Sequence, residues 1–296
     1  VSPRAAITID VDSLRFYREI HGLPPLGEAE DDPIYTIAMP RFWELITEAG
    51  IPATLFLIGQ DAPRYRSSFE AAKATGSEIA NHSFSHDYRL TKRSAESIAD
   101  DLSRADDVLR PLSPSGRIAG FRAPGYNTSK TVMKVVADLG YVYDSSLLPS
   151  PLYFLARLLA ITGYAILGRP SRSLIGNFFA YAGTLLPHTI GTLVEIPMAC
   201  EPWTRVPIFG TSWVLASDAM RRFSLKSALT RLPVFNFEMH AIDLLDATDR
   251  GVGADLAAAQ RDLKVPVADK MRAFRGLFSE LKTSATMSTL EAIARP

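Results

Sequence analysis

The chain has 296 residues, 47% of them hydrophobic, enough for one large α/β barrel or two smaller domains. Its 32 basic and 32 acidic residues balance, which gives no support for a nucleic-acid partner, since that would need a basic surface. The single cysteine, Cys200, excludes a disulfide framework and a cysteine-rich zinc site, and reads as a small buried side chain. The opening residues have no long apolar stretch of signal type, and no run of about 18 apolar residues occurs anywhere. A cytoplasmic location is expected.

Strand and helix patterns alternate along the chain. Residues 4–12 read as a buried strand through Ala5, Ala6, Ile7 and Ile9. A helix follows at 40–50, with Phe42, Leu45, Ile46 and Ala49 on one face and Gly50 as its stop. Strands are expected at 53–59 and 78–82, with a short helix between them that ends near Gly76. The spacing of Ile98, Leu102, Ala105 and Leu109 predicts a helix over 94–110. A strand at 117–124, a helix at 130–140 and a short strand at 141–146 come next, then strands at 192–197 and 234–240 and a helix over 267–282. This rhythm argues for a parallel sheet with helices outside. With seven or eight such units, closure into a (β/α) barrel is expected, with every strand's C-terminal end on one rim. The apolar stretch 147–190 has no strand–helix rhythm and reads as an insertion in a single 1–296 domain.

The predicted strand ends carry polar residues. The strand at 78–82 runs into a loop with His82 and His86 four apart. Two imidazoles so placed can turn toward one metal ion, or be ordinary loop residues; a metal would need a third ligand from elsewhere. Asp10 and Asp12 are two apart, so in a regular strand they face the same way. They repel unless a metal meets one and a guanidinium the other; alternatively one caps the next helix and the other faces solvent. Arg122, Asp144 and His240 close other strands. Together these form the minimum kit for metal-assisted hydrolysis. His21 reads as a solvated loop residue and His188 as structural.

At these positions the chain resembles the polysaccharide deacetylases, carbohydrate esterase family 4. Thr8-Ile9-Asp10-Val11-Asp12 loosely matches the family's first motif, and His82-Ser83-Phe84-Ser85-His86 fully matches the second. Arg122-Ala123-Pro124-Gly125-Tyr126 is similar to the third with its last two residues exchanged. Asp144 looks like the fourth, and Met239-His240 like the fifth. The resemblance spans about 10–240 and implies a deformed β/α barrel. It further implies a divalent metal, zinc before others, on Asp12, His82 and His86, with Asp10 as the base. Arg122 would orient Asp10, the N–H of Gly125 or Tyr126 would face the oxyanion, His240 would protonate the leaving amine, and Asp144 would orient His240.

The acids of the first motif are separated here by one residue, as in a branch with allantoinase-like amidohydrolases and lipid-linked aminosugar deformylases. The implied activity is removal of an N-acyl group, acetyl first, from an amino sugar in a poly-, oligo- or lipid-linked saccharide. A cyclic ureide substrate and a catalytically dead carbohydrate-binding barrel are the alternatives. Residues 147–188, with Arg169 and Arg172 near their middle, suit helices packed over the barrel, a homodimer interface, or a lid in peripheral contact with a membrane.

Overall fold

The computed structural model describes residues 2–25, 27, 31–166 and 177–295. β1 (Arg4–Val11) is buried along nearly its whole length, as a strand covered on both faces must be. The Ser13 hydroxyl accepts from Arg15 N and caps α1 (Leu14–Ile20). After a π-helical turn comes α2 (Met39–Ala49), which Gly50 ends in the left-handed conformation. Next are β2 (Thr54–Leu57), α3 (Ala71–Ala74), β3 (Glu78–Asn81), α4 (Ala95–Leu109), β4 (Gly120–Phe121), α5 (Lys130–Asp138) and β5 (Tyr143–Asp144). Then follow α6 (Pro151–Ile166), β6 (His188–Ile190), β7 (Leu193–Glu195), α7 (Gly210–Leu215), α8 (Asp218–Arg231) and β8 (Val234–His240). The chain finishes with α9 (Ala254–Ala259), α10 (Val267–Ser284), β9 (Thr286–Met287) and α11 (Leu290–Ala294).

The strands lie in the order β6-β7-β5-β4-β3-β2-β1-β8, with β9 on the start of β1. Every pairing is parallel except β6 with β7. The sheet curls until the chain after β7 meets β8: Ala199 N donates to Asn236 O at 2.9 Å, and the Asn236 amide donates to Ile196 O at 3.2 Å. This narrow seam is the deformation of the barrel, and among the described residues seven parallel strands form the ring. The register sets Asp10 beside His240, Asn81 beside Phe121 and Phe121 beside Asp144, so the polar strand ends share one rim. Helix faces bury Phe42, Leu45 and Ile46 from α2 and Phe274, Phe278 and Leu281 from α10 against the outside of the ring.

Three expectations are corrected. The strand expected at 117–124 is only two residues long. Here Gly120 is pressed onto the Tyr143 ring, where a Cβ would lie 1.8 Å from Cζ. The stretch 147–190, read as an insertion with no strand–helix rhythm, holds α6, in keeping with helices over the barrel, and also β6. The bounds of that helix were hidden because α6 is apolar on nearly all sides and so carries no clean periodicity. α7 and α8 were also missed; α8 buries only Leu225, Ser227 and Ala228, too few to mark a face. On α6, Tyr153 and Phe154 pack inward, while Leu152, Leu155 and Leu159 are 57%, 49% and 64% exposed. Arg169 and Arg172 lie outside the described residues. Among the described residues, no helix is long and apolar enough to cross a membrane.

Candidate active site

Asp10 stands near the end of β1 and Asp12 just beyond it, both facing the rim. Arg122, following β4, is fully buried and spends its guanidinium on four acceptors. It donates to Asp10 Oδ1 at 2.6 Å, Ser145 O at 2.9 Å, and the hydroxyls of Thr8 and Ser145, both at 3.0 Å. Its flat face lies 4.0 Å over the Phe56 ring. A planar fork with this many fixed donors is what arginine offers and lysine does not. Burial opposes the Arg122 charge, but the Asp10 and Glu238 carboxylates more than offset it and raise its pKa.

The loop after β3 delivers both histidines, and it is strained. Ser83 and His86 have φ of 66° and 52°, the left-handed region that side chains avoid. Side-chain hydrogen bonds hold it there. Asn81 Oδ1 accepts from Ser83 N at 2.7 Å, and Ser83 Oγ accepts from His86 N at 3.0 Å. From α4, Asp101 takes Phe84 N at 2.8 Å and the Ser85 hydroxyl at 2.6 Å.

His82 Nδ1 donates to Arg122 O at 2.8 Å. A carbonyl only accepts, so in the neutral ring the proton sits on Nδ1 and Nε2 presents a lone pair. That Nε2 lies 3.4 Å from Asp12 Oδ1, and His86 Nε2 lies 3.2 Å from the same oxygen. Asp12 Oδ1 and His86 Nε2 are buried without a hydrogen-bond partner. Acceptors converging on one buried point require a cation or extra protons between them. Asp12, His82 and His86 can therefore hold a divalent ion as a His₂-carboxylate set. Charge argues the same way: Asp10, Asp12 and Glu238 are buried together, and Arg122 is the permanent cation among them.

Burial works to raise the Asp12 carboxyl, yet His86 and His82 hold it well below the ordinary carboxylate range. For His82, burial lowers the imidazole but Asp10 and Asp12 outweigh it, and the pKa rises. For His86 burial prevails and the pKa falls, which favours the neutral, ligating form.

His240 closes β8. Its Nδ1 lies 2.9 Å from Glu238 Oε1, and its Nε2 lies 3.9 Å from Asp12 Oδ2. Burial works against the imidazolium, but Glu238, then Asp10 and Asp12, raise the His240 pKa well above its ordinary value. The expected contact between Asp144 and His240 is not formed. Asp144 accepts from the Ser146 hydroxyl at 2.8 Å and Ser146 N at 3.2 Å, and it stands opposite Glu195 in the parallel ladder. Burial, and then the charge of Asp144, push the Glu195 carboxyl well above its ordinary value. Asp144 thus supports the loop at 122–126 from below: Ser146 Oγ in turn accepts from Ala123 N at 2.8 Å. Sequence reasoning missed Glu238. It is readable in retrospect as an acid two residues before His240, hence on the same face of the strand.

Gly125 and Tyr126 both have positive φ, 58° and 60°. The Tyr126 N–H donates to Ala123 O at 3.0 Å, which leaves the Gly125 N–H as the stronger candidate of the two for facing a substrate oxygen. The Tyr126 ring stands edge-on to His240, centroids 6.1 Å apart. Phe16 and Tyr88 wall His86, at 4.2 and 5.0 Å between ring centroids. His21 meets Gln260 Oε1 at 3.3 Å, His188 turns its Nδ1 to Leu186 O, and Cys200 is a buried free thiol.

Comparison with known proteins points the same way. Residues 30–143 match the family model described as polysaccharide deacetylase. A chitooligosaccharide deacetylase of Azorhizobium caulinodans is 31% identical over 110 residues, which is 37% of this chain and 52% of that protein. The chain spans about half the length of the curated relatives it matches. A Mycobacterium smegmatis protein assigned as a polysaccharide deacetylase shares the fold at a TM-score of 0.61 and 16% identity, over 99% of this chain and 92% of its own. Puue allantoinase does so at 0.59 and 14% identity, over 99% and 89%. The segment that is similar to the polysaccharide deacetylase family model holds His82, His86 and Arg122, and the chain around it shares the barrel fold of these solved structures.

Proposed function

We propose that the chain is a divalent-metal-dependent hydrolase that removes an N-acetyl group from an amino sugar in an oligosaccharide or lipid-linked saccharide. The observation that carries this reading is the convergence of His82 Nε2 and His86 Nε2 on one buried oxygen of Asp12, at 3.4 and 3.2 Å. A zinc ion held by these three residues would supply Lewis acidity toward the amide carbonyl and an activated water.

The chain's own residues divide the remaining work. Asp10 is the base toward the attacking water. Arg122 pairs with one oxygen of Asp10 at 2.6 Å and so fixes its carboxylate. His240 is the acid: an amine leaves poorly unless protonated, and the raised pKa keeps a proton on the ring. Glu238, in the place first given to Asp144, orients His240 and supports its positive form. The Gly125 N–H faces the oxyanion as the carbonyl turns tetrahedral. Phe16, Tyr88 and Tyr126 exclude water around these groups. Similarity to chitooligosaccharide deacetylases supports an acetylated chitooligosaccharide as the substrate class.

The separated acids Asp10 and Asp12 favour a second reading, hydrolysis of a non-sugar amide such as a cyclic ureide. Side-by-side turnover of acetylated chitooligosaccharides and allantoin by the zinc-loaded protein distinguishes the two. Release of acetate from the sugar supports the deacetylase. Turnover of allantoin alone supports the ureide reading, and turnover of neither by a zinc-loaded protein supports a carbohydrate-binding barrel. The exposed row Leu152, Leu155 and Leu159 supports reading 147–188 as a contact face, for a membrane surface or a second copy of the chain. Co-sedimentation with anionic liposomes, against elution as a dimer, decides its occupant.

A further inference from the structure

The loop at 123–127 carries two successive left-handed residues. Gly125 has φ 58° and ψ 25°, and Tyr126 has φ 60°. The first needs glycine for a second reason: a Cβ there would come 2.9 Å from the Tyr88 ring. The second is a tyrosine, for which this conformation costs about 1–2 kcal/mol. A loop in such a state persists only where its surroundings over-determine it.

The surroundings come largely from the 147–188 insertion. Arg157 on α6 reaches down to the loop, and its Nη1 donates to Gly125 O at 3.3 Å and to Tyr181 Oη at 2.8 Å. Asn177 N donates to Asn127 Oδ1 at 3.1 Å, and the Asn127 amide donates to Tyr88 O at 2.8 Å. The insertion thus grips the loop at Gly125 and again at Asn127. The Gly125 carbonyl and the Tyr126 N–H belong to one planar peptide unit. Drawing that oxygen toward α6 fixes the orientation of the unit. It also fixes the start of the Tyr126 side chain, whose ring stands against His240.

We propose that Arg157 is a positioning residue for the reaction, holding the 125–126 peptide so that the Tyr126 ring keeps its place beside His240 and, across the Gly125 Cα, the Gly125 N–H of the preceding peptide keeps its direction. This rests on the deacetylase reading of the site. The insertion then has a task beyond covering the barrel: it completes the loop that faces the oxyanion. Arginine suits the place because the two N–H bonds of its Nη1 lie in the guanidinium plane, so one nitrogen serves a backbone carbonyl and a phenol from one fixed orientation.

The test compares the zinc-loaded wild type with Arg157→Met, Arg157→Ala and Tyr181→Phe on an acetylated chitooligosaccharide, with zinc content and melting temperature measured alongside. Arg157→Met is expected to lower kcat roughly ten- to hundredfold with little change in KM or bound zinc. Tyr181→Phe, which removes only the hydroxyl that braces the guanidinium, should lower kcat in the same direction but less. Added guanidinium ion should restore part of the kcat of Arg157→Ala, which a merely structural loss would not allow. Amide exchange read by mass spectrometry should rise in the peptide covering 120–128 in Arg157→Met, and not in β1 or β8. An unchanged kcat, or unchanged exchange at 120–128 in a folded variant, overturns the proposal. If the wild type turns over no acetylated sugar, the deacetylase reading fails, while faster exchange at 120–128 still upholds the grip of Arg157 on the loop.

Discussion

Glu238 Oε1 lies 2.9 Å from His240 Nδ1, on a strand where alternate side chains face the rim. The charge of Glu238 is the leading influence that keeps the proton on His240 against the effect of burial. In the proposed role of His240 as the acid its protonated form is the active one, so activity is expected to be lost as pH rises through its pKa. Replacing Glu238 with Gln removes the supporting charge and lowers that pKa. The alkaline limb of the kcat/KM profile is therefore expected to move to lower pH in Glu238→Gln. A limb that stays in place would detach Glu238 from His240.

The Asp12, His82 and His86 set makes metal content a direct readout. The wild type is expected to bind one zinc ion per chain, and His86→Ala to lose nearly all of it by elemental analysis. Chelation should lower the melting temperature of the wild type, and restored zinc should recover it, because a ligand that binds only the folded form stabilises that form. His86→Ala should show neither change. Full zinc occupancy in that variant would end the assignment.

Asp10 and Arg122 form a fully buried ion pair with a separation of 2.6 Å. Asp10→Asn keeps the shape and the hydrogen-bond acceptor but not the base. It is expected to bind zinc normally and lose about 10²–10⁴-fold in kcat. Arg122→Met instead leaves the Asp10 charge without its partner, which typically costs about 3–5 kcal/mol. Urea unfolding should show that loss for Arg122→Met and a much smaller one for Asp10→Asn. Equal midpoints for the two variants would show that the pair is not a structural anchor.

Gly120 meets the Tyr143 ring so closely that a methyl group has no room. Gly120→Ala is expected to be destabilised by about 1–3 kcal/mol or more through overpacking. The same change in a Tyr143→Leu background should cost far less, since the clashing ring atoms are gone and neighbouring substitutions do not add. Thermal melts of the four proteins in this cycle measure the coupling. Additive effects would place the cause in the backbone and not in the ring.

The sequence carried the local facts. The alternation of strands and helices gave the barrel, because a parallel sheet must be covered by helices on its outer face and each unit announces itself by its own period. β8 was readable to the residue, since its apolar run is bounded on both sides. His82 and His86 stood out by spacing, and the two-residue step from Asp10 to Asp12 put both acids on the rim side. Composition had already excluded disulfides and gave no basic surface.

What only the tertiary structure decided are pairings between elements distant in sequence. Asp144 and Glu238 are both acids near strand ends, and nothing local distinguishes them. The curl of the sheet set Asp144 beneath the Arg122 loop with Ser146 and Glu195, and set Glu238 against His240. The convergence of His82 and His86 on a single oxygen of Asp12 depends on a strained loop held by Asp101 from α4. The bounds and inward face of α6 were not readable because its composition is apolar on nearly every side. Its contribution to the site is one arginine whose partner, the Gly125 carbonyl, lies 32 positions earlier in the chain. Periodicity reports which face of an element is buried, but the partner across a contact is fixed only when the barrel closes.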